Sequence, residues 1–432
     1  MPEAALAASA KLYRPKLHTT LAEGYGLADL RHDAIAGLTV AIVALPLSMA
    51  IAIASGVSPD RGLYAAIVGG FLVSALGGSR FQVGGPAGAF IVLVAATVAK
   101  FGVDGLLLTV FLSGLMLTLL GLLRLGSLIR HIPHAVTVGF TSGIAVTILA
   151  SQMKDLFGLK LAGAEPGPVI PKVAALAQAW PTASLSAFGL ALAVIALTAG
   201  IRRLKPLWPA MLVAVAAATA VASLLHLPLE TIGSRFGGIP HGLQMPNLPV
   251  VTAQKVMAVL PAALSFTLLG GIESLLSAVV ADGMTGRRHR SNIELTAQGI
   301  ANMASALFGG ICVTGTIART ATNVRAGARS PVAGMLHALF LLVFMAVAAP
   351  LASYVPVSAL AGVLVLVAWN MAEKPAVARL LRNWRSGVVL LTTFGLTVVR
   401  DLTAGIAAGC VLAAALWGLE TWRARRMASR QA

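Results

Sequence analysis

Long apolar segments recur along this chain from end to end, and they leave few folds open to it. Fourteen such segments can be marked between residues 35 and 419, separated by short polar or glycine-rich connections. Roughly 20 apolar residues in a helix cross a hydrocarbon layer about 30 Å thick. Of the 432 residues, 58% are hydrophobic and only 11% are charged. The pattern therefore predicts an all-α polytopic membrane protein.

The predicted spans fall into two sets of seven. Those of the first half are Ile35–Ser55, Leu63–Leu76, Pro86–Ala99, Leu106–Leu123, Ile132–Leu149, Leu185–Thr198 and Leu207–Leu225. Those of the second half are Val256–Val280, Leu295–Phe308, Thr316–Val324, Val332–Ala349, Val357–Trp369, Val388–Val399 and Ala404–Leu419. Several are too short to cross a membrane alone, and the third and the tenth both begin at glycine-rich breaks.

Basic residues gather in alternate connections between these spans. The formal net charge is +17, from 32 Lys and Arg against 15 Asp and Glu. The clusters lie at residues 202–205, 287–290, 374–385 and 423–430. Because Lys and Arg accumulate in cytoplasmic loops, this pattern predicts a cytoplasmic N-terminus and a multi-pass location in a bacterial inner (plasma) membrane. The positive charge thus indicates a lipid bilayer as partner and no nucleic acid.

Seven spans per half is an odd number, so the two halves are expected to enter the membrane with opposite orientations. Such inverted repeats are common in secondary transporters. The predicted divisions are a cytoplasmic arm (1–32), a first seven-span repeat (33–226), an extracytoplasmic loop (227–255), a second seven-span repeat (256–422) and a short cytoplasmic tail (423–432).

The glycine-rich breaks occupy corresponding positions in the two halves. Residues 84–90 read GGPAGAF and residues 314–320 read TGTIART, and each break follows a closely similar lead-in, SALGG at 74–78 and SALFGG at 305–310. Interrupted hydrophobic segments at matching positions point to a transporter's binding site, and free helix N-termini favour an anion. The predicted substrate-binding residues here are Gly85, Pro86, Ala87, Gly88, Thr316, Ala318 and Arg319.

Glu273 is the most informative single residue, because it lies in the middle of the eighth span. A carboxylate there costs about 2.5 kcal/mol or more on insertion scales, and such residues usually mark an ion or proton path. Ser277, one turn further on, is expected to share its helix face. The pair is predicted to serve cation coupling, and a structural hydrogen-bond role for Glu273 is the alternative.

Arg319 and Pro46 each allow two interpretations. Arg319 faces a bound anion, or it reaches the cytoplasmic side or neutralises Glu273 instead. Pro46 bends or unwinds the first span beside the site, or it produces an ordinary kink. The two cysteines, Cys312 and Cys410, lie in apolar stretches and form no metal-ligand pattern. The sequence carries no catalytic motif, which predicts no enzyme and no cofactor, with Na⁺ or H⁺ as the coupling ion.

Several short motifs together resemble the SulP family of sulfate permeases and related anion transporters. They are DAIAGLTVA at 33–41, LP at 45–46, ASG at 54–56, GLY at 62–64, GSR at 78–80 and GP at 85–86, then IESLL at 272–276, ADG at 281–283, RTATN at 319–323 and AGAR at 326–329. The likeness runs from about Asp33 to Trp422, and the order and spacing of the motifs make it specific.

The resemblance implies fourteen segments in two inverted repeats, divided into a core domain and a gate domain that assemble as a homodimer. It places the substrate site between the facing ends of spans three and ten, with Pro46 of span one alongside. Three departures stand out. The sequence ends at Ala432, where most members continue into a cytoplasmic STAS domain. Leu47 replaces a frequent Gln, and Ala87 replaces the Thr of bicarbonate-transporting members, so their sodium and bicarbonate contacts do not transfer whole.

These observations predict a secondary active transporter, a symporter of a small inorganic oxyanion such as sulfate or bicarbonate with H⁺ or Na⁺. A passive anion exchanger or channel of the same fold is one alternative. A nucleobase–proton symporter is another, although that architecture usually carries a second carboxylate on span ten, where this chain has Arg319. A membrane scaffold without transport is disfavoured by the buried carboxylate and the matching breaks.

Overall fold

The chain is a helical membrane protein in which short breaks interrupt two of the helices at the same depth. The computed structural model describes residues 14–126, 133–163, 165–166, 169–205, 208–400 and 402–431. Within these parts, seven helices are long and apolar enough to cross a membrane, and four shorter apolar helices accompany them. The prediction of an all-α polytopic fold is confirmed.

The helices of the first half follow the predicted spans closely. They are α1 (Lys16–Ala22), α2 (Leu27–Ala54), α3 (Pro59–Tyr64), α4 (Gly70–Leu76), α5 (Ile91–Leu122), α6 (His134–Phe157), α7 (Val169–Gln178), α8 (Leu185–Leu204), α9 (Ala210–Leu224) and α10 (Ile232–Phe236). A π-helical turn at Ala65–Gly69 joins α3 to α4, and 3₁₀ turns cover Gly88–Phe90 and Trp180–Thr182.

The second half repeats the arrangement. Its helices are α11 (Ala253–Thr285), α12 (Ser291–Leu307), α13 (Ile317–Arg325), α14 (Val332–Ala352), α15 (Val357–Met371), α16 (Lys374–Leu381), α17 (Trp384–Val399) and α18 (Leu402–Gln431). Each of the fourteen predicted spans overlaps one of these helical elements. Ile132 and Leu207, where two of the spans were predicted to begin, lie outside the described residues, as do residues 1–13 of the predicted arm.

Two details of the helices differ from the sequence prediction or refine it. Helix α2 continues through Pro46, so of the two interpretations of this proline the structure excludes an unwound helix. Helix α5 covers most of the third and fourth predicted spans, divided at Gly102. Gly102 has φ 68°, in the left-handed region that glycine adopts at little cost, and this residue therefore allows the chain to turn between the two spans.

Packing divides the helices into two groups. The core bundle consists of α2–α5 and α11–α14, with α5 against α12 and α14 against α2 as its main contacts. The gate bundle consists of α6, α8, α9, α15, α17 and α18, in which α6 packs against α15 and α17. Helix α2 also contacts α9 and α15, and so joins the bundles.

The contacts within each bundle come in corresponding pairs, as two similar halves require. The contact of α2 with α14 corresponds to that of α11 with the end of α5, and the contact of α6 with α17 corresponds to that of α15 with α8. When each helix is replaced by the helix seven spans away, these contacts are reproduced. The residue boundaries of the two repeats, 33–226 and 256–422, stay predictions.

Small residues bring the core helices close together. A Cβ atom on Gly299 of α12 would lie 2.4 Å from the carbonyl oxygen of Gly114 in α5, and one on Gly114 would lie 2.6 Å from that of Gly299. Close approach through small residues is typical of helix pairs in membranes, where no hydrophobic effect drives association.

Candidate functional site

Two short strands bring the glycine-rich breaks of the two halves into direct contact. Strand β1 (Gly84–Gly85) pairs with β2 (Thr314–Gly315) in antiparallel register, with Gly84 opposite Gly315 and Gly85 opposite Thr314. The Thr316 amide extends the pairing by donating to the Val83 carbonyl at 3.2 Å. Each strand leads directly into a helix, so the two helices begin close to one another in the core bundle.

Both helices begin without a side-chain cap. Ala87 precedes the turn that leads into α5, Thr316 precedes α13, and neither position carries a side-chain capping hydrogen bond. The first amides of a helix have no carbonyl partner within it and give the N-terminus a partial positive charge of about half an elementary charge. The amides of Gly88, Ala318 and Arg319 are in this position.

A cavity of about 400 Å³ lies where these helix starts face the gate bundle. The core side of the wall contains most of the predicted substrate-binding residues: Pro86, Ala87, Gly88, Thr316, Ala318 and Arg319. Glu273 of α11 lies in the same wall. The gate side contributes polar groups of α6 and α15, namely Thr137, Thr141 and Asn370. The core side of the cavity thus offers amides, one cation and one carboxylate in a mostly apolar wall.

Arg319 is buried, with 2% of its surface exposed. Its Nη2 donates to the Ser48 hydroxyl at 3.0 Å and to the Pro86 carbonyl at 3.3 Å, and its Nη1 donates to the Gly84 carbonyl at 3.4 Å. Its Nε has no partner, and Arg319 makes no ion pair within the described parts of the chain. The side chain therefore neither reaches the cytoplasmic side nor neutralises Glu273. It remains a cation without a counter-ion in the cavity wall.

Gly85 lies against the guanidinium group of Arg319. A Cβ atom on Gly85 would lie 1.7 Å from Nη1 of Arg319, far inside van der Waals contact. Gly85 does not line the cavity itself. The structure thus places Gly85 where the absence of a side chain makes room for the guanidinium.

Glu273 is partly buried and faces the cavity from α11. Its Oε2 is shielded from solvent and has no hydrogen-bond partner among the residues described. No basic side chain of those residues lies within ion-pair distance of it. A carboxylate in this condition is a strong acceptor for a proton or a small cation.

Ser277, the predicted companion of Glu273, lies behind the break rather than in the cavity wall. Its hydroxyl is fully buried and donates to Thr320 Oγ1 at 3.0 Å. Ser274 makes a similar contact with Thr314, with their hydroxyl oxygens 2.7 Å apart. These bonds hold α11 against the second break, so the carboxylate and the helix starts form one rigid unit.

Comparison with known proteins decides the family. The model of the sulfate permease family matches residues 30–393. The chain is 43% identical to a putative sulfate transporter, YvdB, of Bacillus subtilis over 394 residues, which is 90% of this chain and 74% of that protein. This chain belongs to the sulfate permease family. As a sulfate permease family member, it is a multi-pass membrane transport protein and not an enzyme.

Three further likenesses extend the comparison. The bicarbonate transporter BicA of Picosynechococcus is 30% identical to this permease over 400 residues, 89% of this chain and 69% of that protein. The transmembrane domain of a cyanobacterial BicA superposes with a TM-score of 0.78 at 31% identity, covering 88% of this chain and 98% of that one. The structure of SLC26A9 superposes with a TM-score of 0.87 over 98% of this chain and 70% of that one, and at 19% identity it supports the fold alone.

The permease also has site residues that sequence reasoning missed. Ser48, two residues after Pro46, is fully buried and accepts a hydrogen bond from Arg319. Pro46 is itself buried but lies outside the cavity wall, which its neighbour Leu47 reaches instead. The gate-side hydroxyls carry no sequence signal, since threonine is common in membrane helices.

Two exposed charges line the mouth of the cavity. Arg202 at the end of α8 and Glu373 before α16 both belong to gate-bundle connections. Arg202 is part of the basic cluster at residues 202–205, which the charge pattern assigns to the cytoplasm.

Proposed function

We propose that this protein is a secondary active transporter of a small inorganic oxyanion, sulfate or bicarbonate, coupled to H⁺ or Na⁺. The observation that carries the proposal is the buried, unpaired guanidinium of Arg319 beside two uncapped helix N-termini in one cavity. Buried charges are normally paired, because an isolated one is costly to desolvate. A bound anion is the partner that this arrangement lacks.

The electrostatics of the cavity favour a small anion that can accept several hydrogen bonds. The guanidinium and two helix starts together offer a positive field, and Glu273 is the carboxylate that the core bundle places beside them. An oxyanion can accept from several amides at once, as helix N-termini allow. The names of two relatives, a putative sulfate transporter and a bicarbonate transporter, agree with this class of substrate.

Glu273 provides the means of coupling in this proposal. Protonation, or binding of Na⁺, would neutralise the carboxylate next to the anion and favour joint occupancy of the cavity. The core bundle, which carries Glu273 and both helix starts, would then move against the gate bundle and change the side to which the cavity opens. A homodimer built through the gate bundles is the assembly that we propose for this motion.

Transport in proteoliposomes tests the proposal. Labelled sulfate and labelled bicarbonate are offered separately, each with an imposed proton gradient, an imposed sodium gradient or neither. We expect accumulation of one anion above its equilibrium level under one of the two gradients. Exchange without accumulation under either gradient would favour the passive exchanger, and uptake of a nucleobase instead of either anion would overturn the substrate class.

The Glu273→Gln variant tests the coupling role separately. Glutamine keeps the size and polarity of the side chain but accepts no proton and attracts no cation strongly. We expect this variant to lose gradient-driven accumulation while retaining anion exchange down a concentration gradient. Accumulation at the wild-type level would show that coupling lies elsewhere.

A further inference from the structure

A second cleft, of about 350 Å³, lies at the end of the core bundle where the N-terminal helix α1 docks. Its walls come from the segment after α1 and from the loops that follow α4, α11 and α13. It shares no lining residue with the cavity between the bundles. Because Arg287 of the basic cluster 287–290 lines it, the charge pattern places this cleft on the cytoplasmic face.

Arg80 is the best-buried charged group in the cleft, with 8% of its side chain exposed. Its Nη2 donates to both carboxylate oxygens of Glu23, at 2.5 Å each. Its Nε is buried and has no hydrogen-bond partner among the described residues. A guanidinium has five N–H donors, and a buried donor left unpaired is costly. Arg80 therefore has donor capacity that the surrounding protein does not use.

The other charges of the cleft leave a positive surplus. Arg329 donates to Asp29 at 2.9 Å, which accounts for the second carboxylate. Arg287 makes no side-chain hydrogen bond and no ion pair within the described ranges, although it lies close enough to Glu23 to help lower the pKa of that carboxyl. Among the side chains that line the cleft, three are guanidinium groups and two are carboxylates.

A buried carboxylate behind the cleft wall holds part of that wall in place. Asp33 accepts hydrogen bonds from the hydroxyls of Tyr25 and Ser330 and from the backbone amides of Arg329 and Ser330. Its lone pairs are therefore occupied, and the loop that carries Arg329 is held in place. The arrangement is preorganised, which lowers the cost of binding a ligand.

We propose that this cleft binds a tetrahedral oxyanion of the phosphate type, held by Arg287 and the unused donors of Arg80. Planar guanidinium groups match the oxygen geometry of phosphate and can bind it through two parallel hydrogen bonds. Arg329 lies beside them with its charge already shared with Asp29. The ligand is a free phosphate or phosphate ester from the cytoplasm, or the phosphodiester headgroup of an anionic lipid, since both present the same chemistry.

Inorganic phosphate is the probe for the test, and binding is followed by thermal stabilisation and by calorimetry on the purified full chain. We expect phosphate to stabilise the protein, and Arg287→Gln to weaken its apparent affinity about tenfold or more. The matched control is Arg288→Gln, which removes the same charge from the adjacent position, outside the cleft wall, and should change affinity less than about twofold. A third variant, Arg319→Lys, weakens any phosphate binding in the transport cavity and should leave the loss caused by Arg287→Gln unchanged.

The outcomes distinguish phosphate binding in this cleft from anion binding in the transport cavity. Absence of stabilisation by phosphate, or equal losses in Arg287→Gln and Arg288→Gln, would overturn the proposal. Complete loss of phosphate binding in Arg319→Lys would place the ion in the transport cavity and would also overturn it. In nanodiscs, competition between phosphate and anionic phospholipid, absent with a zwitterionic lipid, would identify the headgroup as the ligand. Equal phosphate binding in both lipids would identify the free anion.

Discussion

Removing the charge of Arg319 should weaken anion binding far more than removing any exposed charge on the same helix. Two unit charges about 4–6 Å apart interact by roughly 3–4 kcal/mol at an effective dielectric constant near 20. Since about 1.4 kcal/mol is a factor of ten, Arg319→Gln should raise the apparent dissociation constant roughly 10²–10³-fold. Arg325 is exposed near the end of α13, where solvent and salt screen it, so Arg325→Gln should change affinity by about twofold or less.

The assay is the apparent affinity for the transported anion, measured for each variant in the same lipid and salt. Arg319 also donates to backbone carbonyls of the first break, so thermal unfolding must accompany each measurement. Arg319→Lys separates the two roles, because it keeps the charge but loses the planar fork, and a loss of about tenfold is expected. If a well-folded Arg319→Gln binds the anion as tightly as Arg325→Gln does, the guanidinium does not face the anion and our reasoning about the cavity is wrong.

Three further predictions concern the helix start, the core packing and the docked arm. Gly88→Val should block anion binding without loss of folding, because its side chain would project toward the gate bundle at the helix start; unchanged affinity by calorimetry would move the site elsewhere. Gly299→Ala should destabilise the protein by about 1–3 kcal/mol or more, since its Cβ would lie 2.4 Å from the backbone of α5. The control is Gly189→Ala, which has open space around it and should leave thermal unfolding unchanged. The hydrogen bond from Arg80 holds the pKa of the Glu23 carboxyl below its usual 4.5, so the contribution of this ion pair to the docking of α1 should be complete above that pH and lost as the pH falls through the lower value. Hydrogen exchange of α1, corrected for intrinsic rates, measures this, and protection that does not fall anywhere below pH 4.5 would contradict it.

The positions of the spans and of the main site residues followed from the sequence because the membrane makes polar and flexible residues costly. A carboxylate at mid-span and a break in a helix both cost free energy in the hydrocarbon core of a membrane, so both usually mark a functional site. For that reason Glu273, Arg319 and the two helix starts were identified together, and the structure places all of them around one cavity.

The supporting contacts could not be predicted in the same way. Ser48 and the gate-side threonines are small hydroxyl residues, which often bond to the carbonyl of the preceding turn and so carry no distinctive pattern. Ser277 shares the helix of Glu273, but its orientation toward Thr320 depends on how α13 packs against α11. Gly85 was assigned to the anion, whereas the structure places it against Arg319, a distinction that only the pairing of β1 with β2 decides.

The pairing of β1 with β2 also has a consequence for biosynthesis. Its partners lie about 230 residues apart in the chain, and at roughly 5–20 residues per second the ribosome needs on the order of 10–50 s to make that length. During this interval the first break is in the membrane without its partner strand. Its backbone amides and carbonyls then lack hydrogen-bond partners, which is costly in the hydrocarbon core. The first half of the chain therefore depends on shelter at the insertion machinery, or on a water-filled groove, until the second half arrives.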